Sequence, residues 1–171
     1  MPIDNRLTGA ARLAVRIATL GNGLFLAAVA VALLLSLVFP AAFAGIVARA
    51  LPGNDIAAAA MGMRLLMGLG IVMAIVTARL LSVLAAVVAS VADPFIAANA
   101  VRLQQIGWCL LALQLCEIPA WLIARNFPAM GSAAPSGDVS IAGWMAVLMV
   151  FVLARVFAVG AAMRDDLAGT I

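Results

Sequence analysis

The sequence predicts an all-α fold, an integral membrane four-helix bundle with both termini in the cytoplasm. Of its 171 residues, 67% are hydrophobic and only 10% are charged. Soluble domains are roughly half apolar and about a quarter charged, so this composition argues against a water-soluble globule. A membrane span needs about 20 apolar residues, and the chain has room for four such runs with short connections. The distribution of its arginines along the chain predicts the side of the membrane on which the termini lie.

The hydropathy pattern predicts four spans and their connections. The spans are residues 20–39, 65–88, 106–124 and 141–162, with outer loops 40–62 and 126–140 and a cytoplasmic helix-start element 93–105. A cleaved signal peptide is the alternative for the first run, because Ala42-Phe43-Ala44 is an acceptable cleavage site. The apolar core of a signal peptide has about 7–15 residues, and this run is longer, which favours a retained span.

Turn and capping residues mark two helix starts. Asp55 follows a Pro-Gly-Asn turn and is expected to cap the second span. Asp138 or Ser140 is expected to cap the fourth. Residues 40–51 gather their large apolar side chains on one helical face with Arg49 opposite, which indicates a short helix on the membrane surface.

The arginines set the predicted orientation. Cytoplasmic segments of membrane proteins carry an excess of basic residues, and charges before the first span have the most influence. With both termini inside, the cytoplasmic segments contain Arg6, Arg12, Arg16, Arg102 and Arg164, and the outer segments contain Arg49, Arg64 and Arg125. The sequence therefore predicts a multi-pass protein of the bacterial inner (plasma) membrane. Because the arginines are scattered, direct binding of nucleic acid is not expected.

Residue types that carry catalysis or bind metals are scarce. Histidine and tyrosine are absent, and the sequence has no nucleophile–base pair, metal-ligand constellation or phosphate-binding glycine loop. Cys109 and Cys116 share a helical face but lie about 10 Å apart along it, beyond the reach of a disulfide bond. We interpret them as small apolar packing residues. The sequence predicts that the protein is not an enzyme and binds no cofactor or metal.

A polar helical repeat lies between the second and third spans. Asp93 followed by Pro94 is typical of a helix start, with a carboxylate at the N-cap and proline at the first helical position. Asn99, Arg102 and Gln105 then recur every three residues. One interpretation is a face that docks a partner or a lipid headgroup. The other is an ordinary hydrated face on a helix that leaves the lipid.

Three charges fall inside the predicted spans. They are Arg79, Glu117 and Arg155. A charge at the bilayer centre costs about 2.5–3.5 kcal/mol on insertion scales, so each is a candidate functional residue. Arginines also reach the headgroups by snorkelling, which is the alternative for Arg79 and Arg155. Arg79 and Glu117 have nearly equal predicted depth, so we expect an ion pair between them, with Arg155 as the alternative partner.

Two sequence elements resemble a known family. The segment DPFIAANAVRLQQIGW resembles an element of a family of small four-span bacterial membrane proteins carried as a domain of unknown function. The segment LARVFAVGAAMRDDLAGTI resembles the closing element of that family. The matching positions are Pro94, Phe95, Asn99, Leu103, Ile106 and Gly107, then Leu153, Val156, Phe157, Gly160, Asp166 and Thr170. The family often has acidic residues where this chain has Ala98 and Arg155, so no role of those acids transfers.

The resemblance also implies a partner. Members of the family are commonly encoded beside a small helix-turn-helix regulator of the Cro/repressor type, so we expect a regulatory or sensory membrane protein that contacts such a cytoplasmic partner. The candidate partner-binding residues are Asp93, Pro94, Phe95, Asn99, Arg102, Gln105, Arg164, Asp165 and Asp166. A small transporter or channel subunit that uses the charges inside its spans is one alternative. A structural membrane subunit is another.

Overall fold

The structure is a computed structural model that describes residues 2–52, 55–90, 97–135 and 140–168, with side chains from residue 8 to residue 164 of these ranges. Within them, 93% of the residues are helical and no strand occurs. The helices are α1 (Pro2–Val38), α2 (Pro40–Ala50), α3 (Ile56–Ala89), α4 (Ala97–Leu115), α5 (Glu117–Asn126) and α6 (Ile141–Ala168), with a 3-10 helix at Pro128–Ala133. The predicted all-α fold is confirmed.

Four helical stretches are long and apolar enough to cross a membrane. They are Thr8–Val38, Ile56–Ala89, Ala97–Asn126 and Ile141–Arg164. Large apolar side chains along them are open to the surroundings, such as Leu24 at 73% exposure and Met149 at 67%. Exposed apolar surface of this extent is typical of a protein that contacts lipid. The number of candidate spans agrees with the sequence, whereas the side of the membrane on which the termini lie stays a prediction.

Side-chain caps begin two of these helices, as the sequence predicts. Asp55 Oδ1 accepts hydrogen bonds from the N–H groups of the second and third residues of α3, at 3.0 and 3.1 Å. Ser140 Oγ accepts one from the Gly143 N–H at 3.1 Å, and Asp138, the other candidate cap, lies outside the described residues. Because its cap is Asp55, α3 begins well before residue 65 and has 34 residues. At about 1.5 Å per residue α3 is longer than the roughly 30 Å hydrocarbon layer of a bilayer, and its predicted tilt or projection from the membrane stays a prediction.

The helix of the third span includes the polar stretch before Ile106 and is divided. α4 is helical from Ala97, in agreement with the predicted helix start before the polar repeat, whereas the entry into the membrane near Ile106 stays a prediction. The helix is interrupted at Cys116, whose N–H bonds the carbonyl three residues back at 3.1 Å. Pro119 has no N–H to offer the carbonyl of Leu115, four residues earlier. The proline therefore accounts for the break between α4 and α5.

The chain forms two compact units. The first unit contains Met1–Asn22, Val76–Ala112 and Ser140–Ile171, and the second unit contains Gly23–Ile75 and Leu113–Val139. The first unit has seven arginines and four aspartates, a formal charge of +3, whereas the second has three arginines and three acidic residues and is neutral. The excess of basic residues is thus confined to the first unit.

The core of the second unit forms around α2. Val47 and Leu51, at 2% and 8% exposure, pack against Ala59 and Ala60 of α3. Partly buried side chains complete this cluster: Phe43, Met63 and Ala129. Arg49, on the opposite face of α2, is exposed. α2 therefore buries part of its predicted apolar face, whereas Ile46 of that face is 60% exposed. The predicted position of α2 on the membrane surface stays a prediction.

The loop after α5 packs closely on α3, although its sequence has no periodicity. Met130 is 0% exposed. A Cβ atom added to Gly62 would lie 2.7 Å from the Met130 Sδ and 2.8 Å from the Phe127 Cβ, so only glycine leaves room for this loop. Gly131, with φ 51° and ψ −125°, adopts a backbone conformation open to glycine alone and turns the chain after Met130. The second unit thus includes a packed segment within the predicted loop 126–140.

Candidate functional site: the α3–α4 joint

A hydrogen-bonded cluster, which we call the α3–α4 joint, consists of Ser90, Asn99 and Arg102 in the first unit. Arg102 Nη1 donates to Asn99 Oδ1 at 2.9 Å and to Ser90 Oγ at 3.3 Å. The Ser90 hydroxyl lies 2.8 Å from Asn99 Oδ1 and 2.9 Å from the carbonyl oxygen of Val87, so its single proton has two acceptors. The cluster fastens the C-terminal end of α3 to the first turns of α4.

Burial strengthens the joint. Asn99 is 3% exposed, and Ser90 and Arg102 are half-buried. A hydrogen bond to a charged group contributes about 1.5–3 kcal/mol, and a buried polar group left without its partner costs about 1–3 kcal/mol. Among the described side chains, no buried nitrogen or oxygen lacks a hydrogen-bond partner. A satisfied polar network of this kind favours a single arrangement of the two helix ends.

The predicted polar repeat does not form one exposed face. Asn99 turns inward to the joint, where its side chain holds α4 against α3. Arg102 and Gln105 are both half-buried on the same helix. The three-residue spacing placed these residues on one side of a helix, but it did not identify Ser90 as the group they would meet. Their contact with a partner stays a prediction.

Of the remaining candidate partner-binding residues, three lie outside the described residues and three lie near the end of α6. Those outside the described residues are Asp93, Pro94 and Phe95. Arg164 is exposed near the end of α6. Asp165 and Asp166 follow it on the same helix, and their side chains lie outside those that the structure describes.

A cavity of about 290 Å³ lies between α4 and α6 in the first unit. Its polar lining consists of Gln104 and Arg155, and its other lining residues are Ala100, Val101, Phe151, Ala154 and Ala158. The Phe151 ring meets the Trp108 ring edge-on, with the centroids 5.3 Å apart. Arg155, one of the predicted charges inside a span, thus shares a cavity with Gln104, and the cavity is open to the surroundings because both side chains are exposed. Gln104 was not predicted from the sequence, although its position one helical turn before Trp108 was a signal that it lies on the same side of α4.

The other two charges predicted inside spans belong to different units. Arg79 is exposed on the part of α3 that lies in the first unit. Glu117 begins α5 in the second unit, where its Oε2 accepts a hydrogen bond from Gln114 Nε2 at 3.2 Å. This local partner, three residues earlier on the chain, was missed in the sequence analysis. The Arg79–Glu117 ion pair stays a prediction.

Arg64 joins α3 to the end of α1 within the second unit. Arg64 Nη2 donates to the carbonyl oxygen of Ser36 at 2.7 Å, and its guanidinium lies over the Phe43 ring, 5.2 Å from the centroid. In a continuing helix the Ser36 carbonyl would accept the N–H of residue 40, but residue 40 is proline. Arg64 supplies the missing donor. From the sequence, Arg64 was predicted only as an outer arginine, although Pro40, four residues after Ser36, indicates that the Ser36 carbonyl has no helical N–H partner.

Cysteine and acidic side chains form no metal site in the described part of the chain. No group of three or more histidine, cysteine, aspartate or glutamate residues is placed there to hold a metal ion. Cys109 and Cys116 are free and half-buried, as is compatible with packing residues.

The α3–α4 joint and the cavity between α4 and α6 lie in the part of the chain that is similar to a known family. No curated protein and no solved structure matches the chain. The matched segment begins at Ser90 and includes both elements for which a family resemblance was predicted, so the resemblance to a domain of unknown function is confirmed for this segment. The family model that matches residues 90–171 is described as Protein of unknown function (DUF2975).

Proposed function

We propose that this chain is a regulatory membrane protein that binds a cytoplasmic protein at its first unit and does not catalyse a reaction. The class of partner is the small helix-turn-helix regulator implied by the family resemblance. The observation that carries the proposal is the α3–α4 joint. In this chain of apolar helices, the joint is a partly buried polar network whose hydrogen bonds connect two consecutive helices, and no buried polar atom of the described side chains lacks a partner.

The joint supports docking because it fixes both ends of the segment between the two helices. Ser90 stands immediately before residues 91–96, and Asn99 stands shortly after them. Their side chains are hydrogen-bonded to each other at 2.8 Å. A binding segment whose ends are held in place loses less conformational entropy when a partner binds. The predicted docking residues in this segment are Asp93, Pro94 and Phe95.

The charge of the first unit supports a cytoplasmic position for this segment. Outside the predicted spans the first unit contains five arginines, and the second unit contains three. Basic residues of membrane proteins are enriched on the cytoplasmic side.

Membrane recruitment of the regulator tests this function. The chain is co-expressed with a fluorescent fusion of a small helix-turn-helix regulator of the Cro/repressor type, and the membrane-bound fraction is measured. We expect recruitment by the unmodified chain and a loss of about tenfold or more with Phe95→Ala, because truncating a central aromatic anchor costs about 2 kcal/mol or more. Phe25→Ala is the matched control, since Phe25 is 53% exposed and belongs to the second unit.

Variants of Asn99 separate positioning from direct contact. Asn99→Leu removes the acceptor shared by Ser90 and Arg102, so recruitment should fall. Asn99→Asp keeps an acceptor oxygen for both groups, so recruitment should persist. The regulatory function is rejected if the regulator stays in the cytosol beside the inserted wild-type chain, or if recruitment survives both Phe95→Ala and Asn99→Leu.

Transport is the second candidate function, and the cavity lined by Gln104 and Arg155 favours it. One cationic and one amide side chain in a cavity of about 290 Å³ suit a small anion. Reconstituted vesicles loaded with chloride distinguish this function from docking. Flux that is lost in Arg155→Gln supports transport, whereas vesicles no leakier than protein-free ones argue against it.

A further inference from the structure

Besides the cavity between α4 and α6, the first unit has a groove between the N-terminal part of α1 and the C-terminal end of α3. It has a volume of about 330 Å³. The residues that line it are Arg12, Val15, Arg16, Ala85, Val88 and Ala89. The α3 side of the groove presents only small or β-branched apolar side chains. The concave floor is therefore apolar, and its polar groups all come from α1.

The two polar groups of the groove are both cations. Arg12 and Arg16 are four residues apart, so they stand one above the other on the same side of α1. Both are exposed, and within the described part of the chain neither guanidinium has a hydrogen-bond or ion-pair partner. Like charges at this spacing repel each other. An anion bound between them would relieve the repulsion and accept hydrogen bonds from both guanidinium groups.

The position of the groove indicates which anion it takes. Arg12 and Arg16 lie in the first turns of the apolar stretch that begins at Thr8, and Ala89 is the last residue of α3. The groove is therefore at the end of two membrane-crossing helices, where lipid headgroups lie. Apolar side chains of α1 beside these arginines are exposed: Leu13 at 59%, Ile17 at 61% and Leu20 at 69%. They offer a surface for an acyl chain, which a free phosphate ion does not have.

We propose that this groove is a binding site for an anionic phospholipid, whose phosphate is held by the Arg12 and Arg16 guanidinium groups. Planar guanidinium groups suit phosphate oxygens because each donates two hydrogen bonds in a fixed geometry. Basic pockets between membrane helices are known to bind anionic headgroups. The acyl chains lie along α1, and the small side chains of α3 leave room for the headgroup. This site is independent of the regulatory function, since it involves neither the α3–α4 joint nor residues 91–96.

Lipid retention measures the preference directly. The purified full-length chain is placed in mixed micelles with equal amounts of phosphatidylglycerol and phosphatidylcholine, and native mass spectrometry records the lipids that each chain retains. We expect the wild type to retain phosphatidylglycerol preferentially. In the double variant Arg12→Gln with Arg16→Gln the preference should fall about thirtyfold, which corresponds to about 1 kcal/mol for each basic residue removed near an anionic headgroup.

A matched double variant controls for the loss of charge. Arg49→Gln with Arg125→Gln also removes two exposed arginines, but both belong to the second unit, so the preference should remain. Arg12→Lys with Arg16→Lys preserves charge and orientation but loses the planar donors, so we expect an intermediate preference. Equal retention by the wild type and the Arg12/Arg16 glutamine variant, or an equal loss in the Arg49/Arg125 variant, would overturn the proposal. Displacement of the lipid by inorganic phosphate alone would also overturn it, and would identify a free-phosphate site.

Discussion

Replacing Arg64 by methionine is expected to lower the free energy of unfolding by about 2–4 kcal/mol, because a hydrogen bond to a charged group contributes about 1.5–3 kcal/mol and a cation–π contact about 0.5–1 kcal/mol more. Methionine keeps most of the apolar stem. It removes the 2.7 Å hydrogen bond to the Ser36 carbonyl and the contact with Phe43. Ser36 is 1% exposed, so no water replaces the lost donor. Denaturant titration of the purified chain in detergent micelles measures the change.

The matched control for this variant is Arg49→Met. Arg49 is exposed on α2, and its replacement should change the free energy of unfolding by no more than about 0.5 kcal/mol. Arg64→Lys should fall between the two, because lysine keeps the charge but not the planar donor group. In a Pro40→Ala background residue 40 regains an N–H group, so Arg64→Met should cost less there. Equal losses for Arg64→Met and Arg49→Met would show that the contact with Ser36 does not stabilise the second unit.

Gly62→Ala is expected to destabilise the second unit, although alanine favours helices. The new methyl group would lie 2.7 Å from the Met130 Sδ and 2.8 Å from the Phe127 Cβ. Met130 is completely buried and the Phe127 Cβ is bonded to the backbone, so the loop must move. Overpacking costs about 1–3 kcal/mol, against a gain of about 1 kcal/mol from helix propensity. We expect a net loss of up to about 2 kcal/mol in the same titration.

Gly68→Ala supplies the control on the same helix. A Cβ atom on Gly68 has no described neighbour within 4 Å. The substitution should therefore raise the free energy of unfolding, by at most about 1 kcal/mol. The opposite signs of the two alanine variants distinguish a packing effect from a helix-propensity effect. If both variants stabilise the protein, the loop after α5 does not pack on Gly62 in solution.

Helices, caps and helix breaks could be predicted from the sequence where they depend on residues close together in the chain. The apolar runs predicted four candidate spans, and Asp55 and Ser140 cap the helices that they precede. In each case the cause lies within a few residues of its effect. The break at Cys116 has the same character, because the carbonyl that Pro119 leaves vacant is four residues away.

Contacts between distant residues were not readable in this way. Arg64 reaches Ser36 across 28 positions of sequence, and Asn99 meets Ser90 on the preceding helix. Helical spacing states which residues share a face, but the identity of the facing helix depends on packing. This is why the repeat that contains Asn99 was predicted as one candidate surface, whereas the structure buries that residue in the joint. Gln104 was not predicted for the same reason, because Arg155, which lines the same cavity, belongs to another helix.

Docking of a cytoplasmic protein requires the first unit to lie on the cytoplasmic side of the membrane. Reporter fusions in a bacterial host test this most directly, with alkaline phosphatase and a fluorescent protein placed in turn after Ala100, Ser132 and Ile171. The charge distribution predicts fluorescence and no phosphatase activity after Ala100 and Ile171, which belong to the first unit, and the reverse after Ser132 in the second. Phosphatase activity after Ala100 or Ile171 would contradict this topology and remove the basis for a cytoplasmic partner.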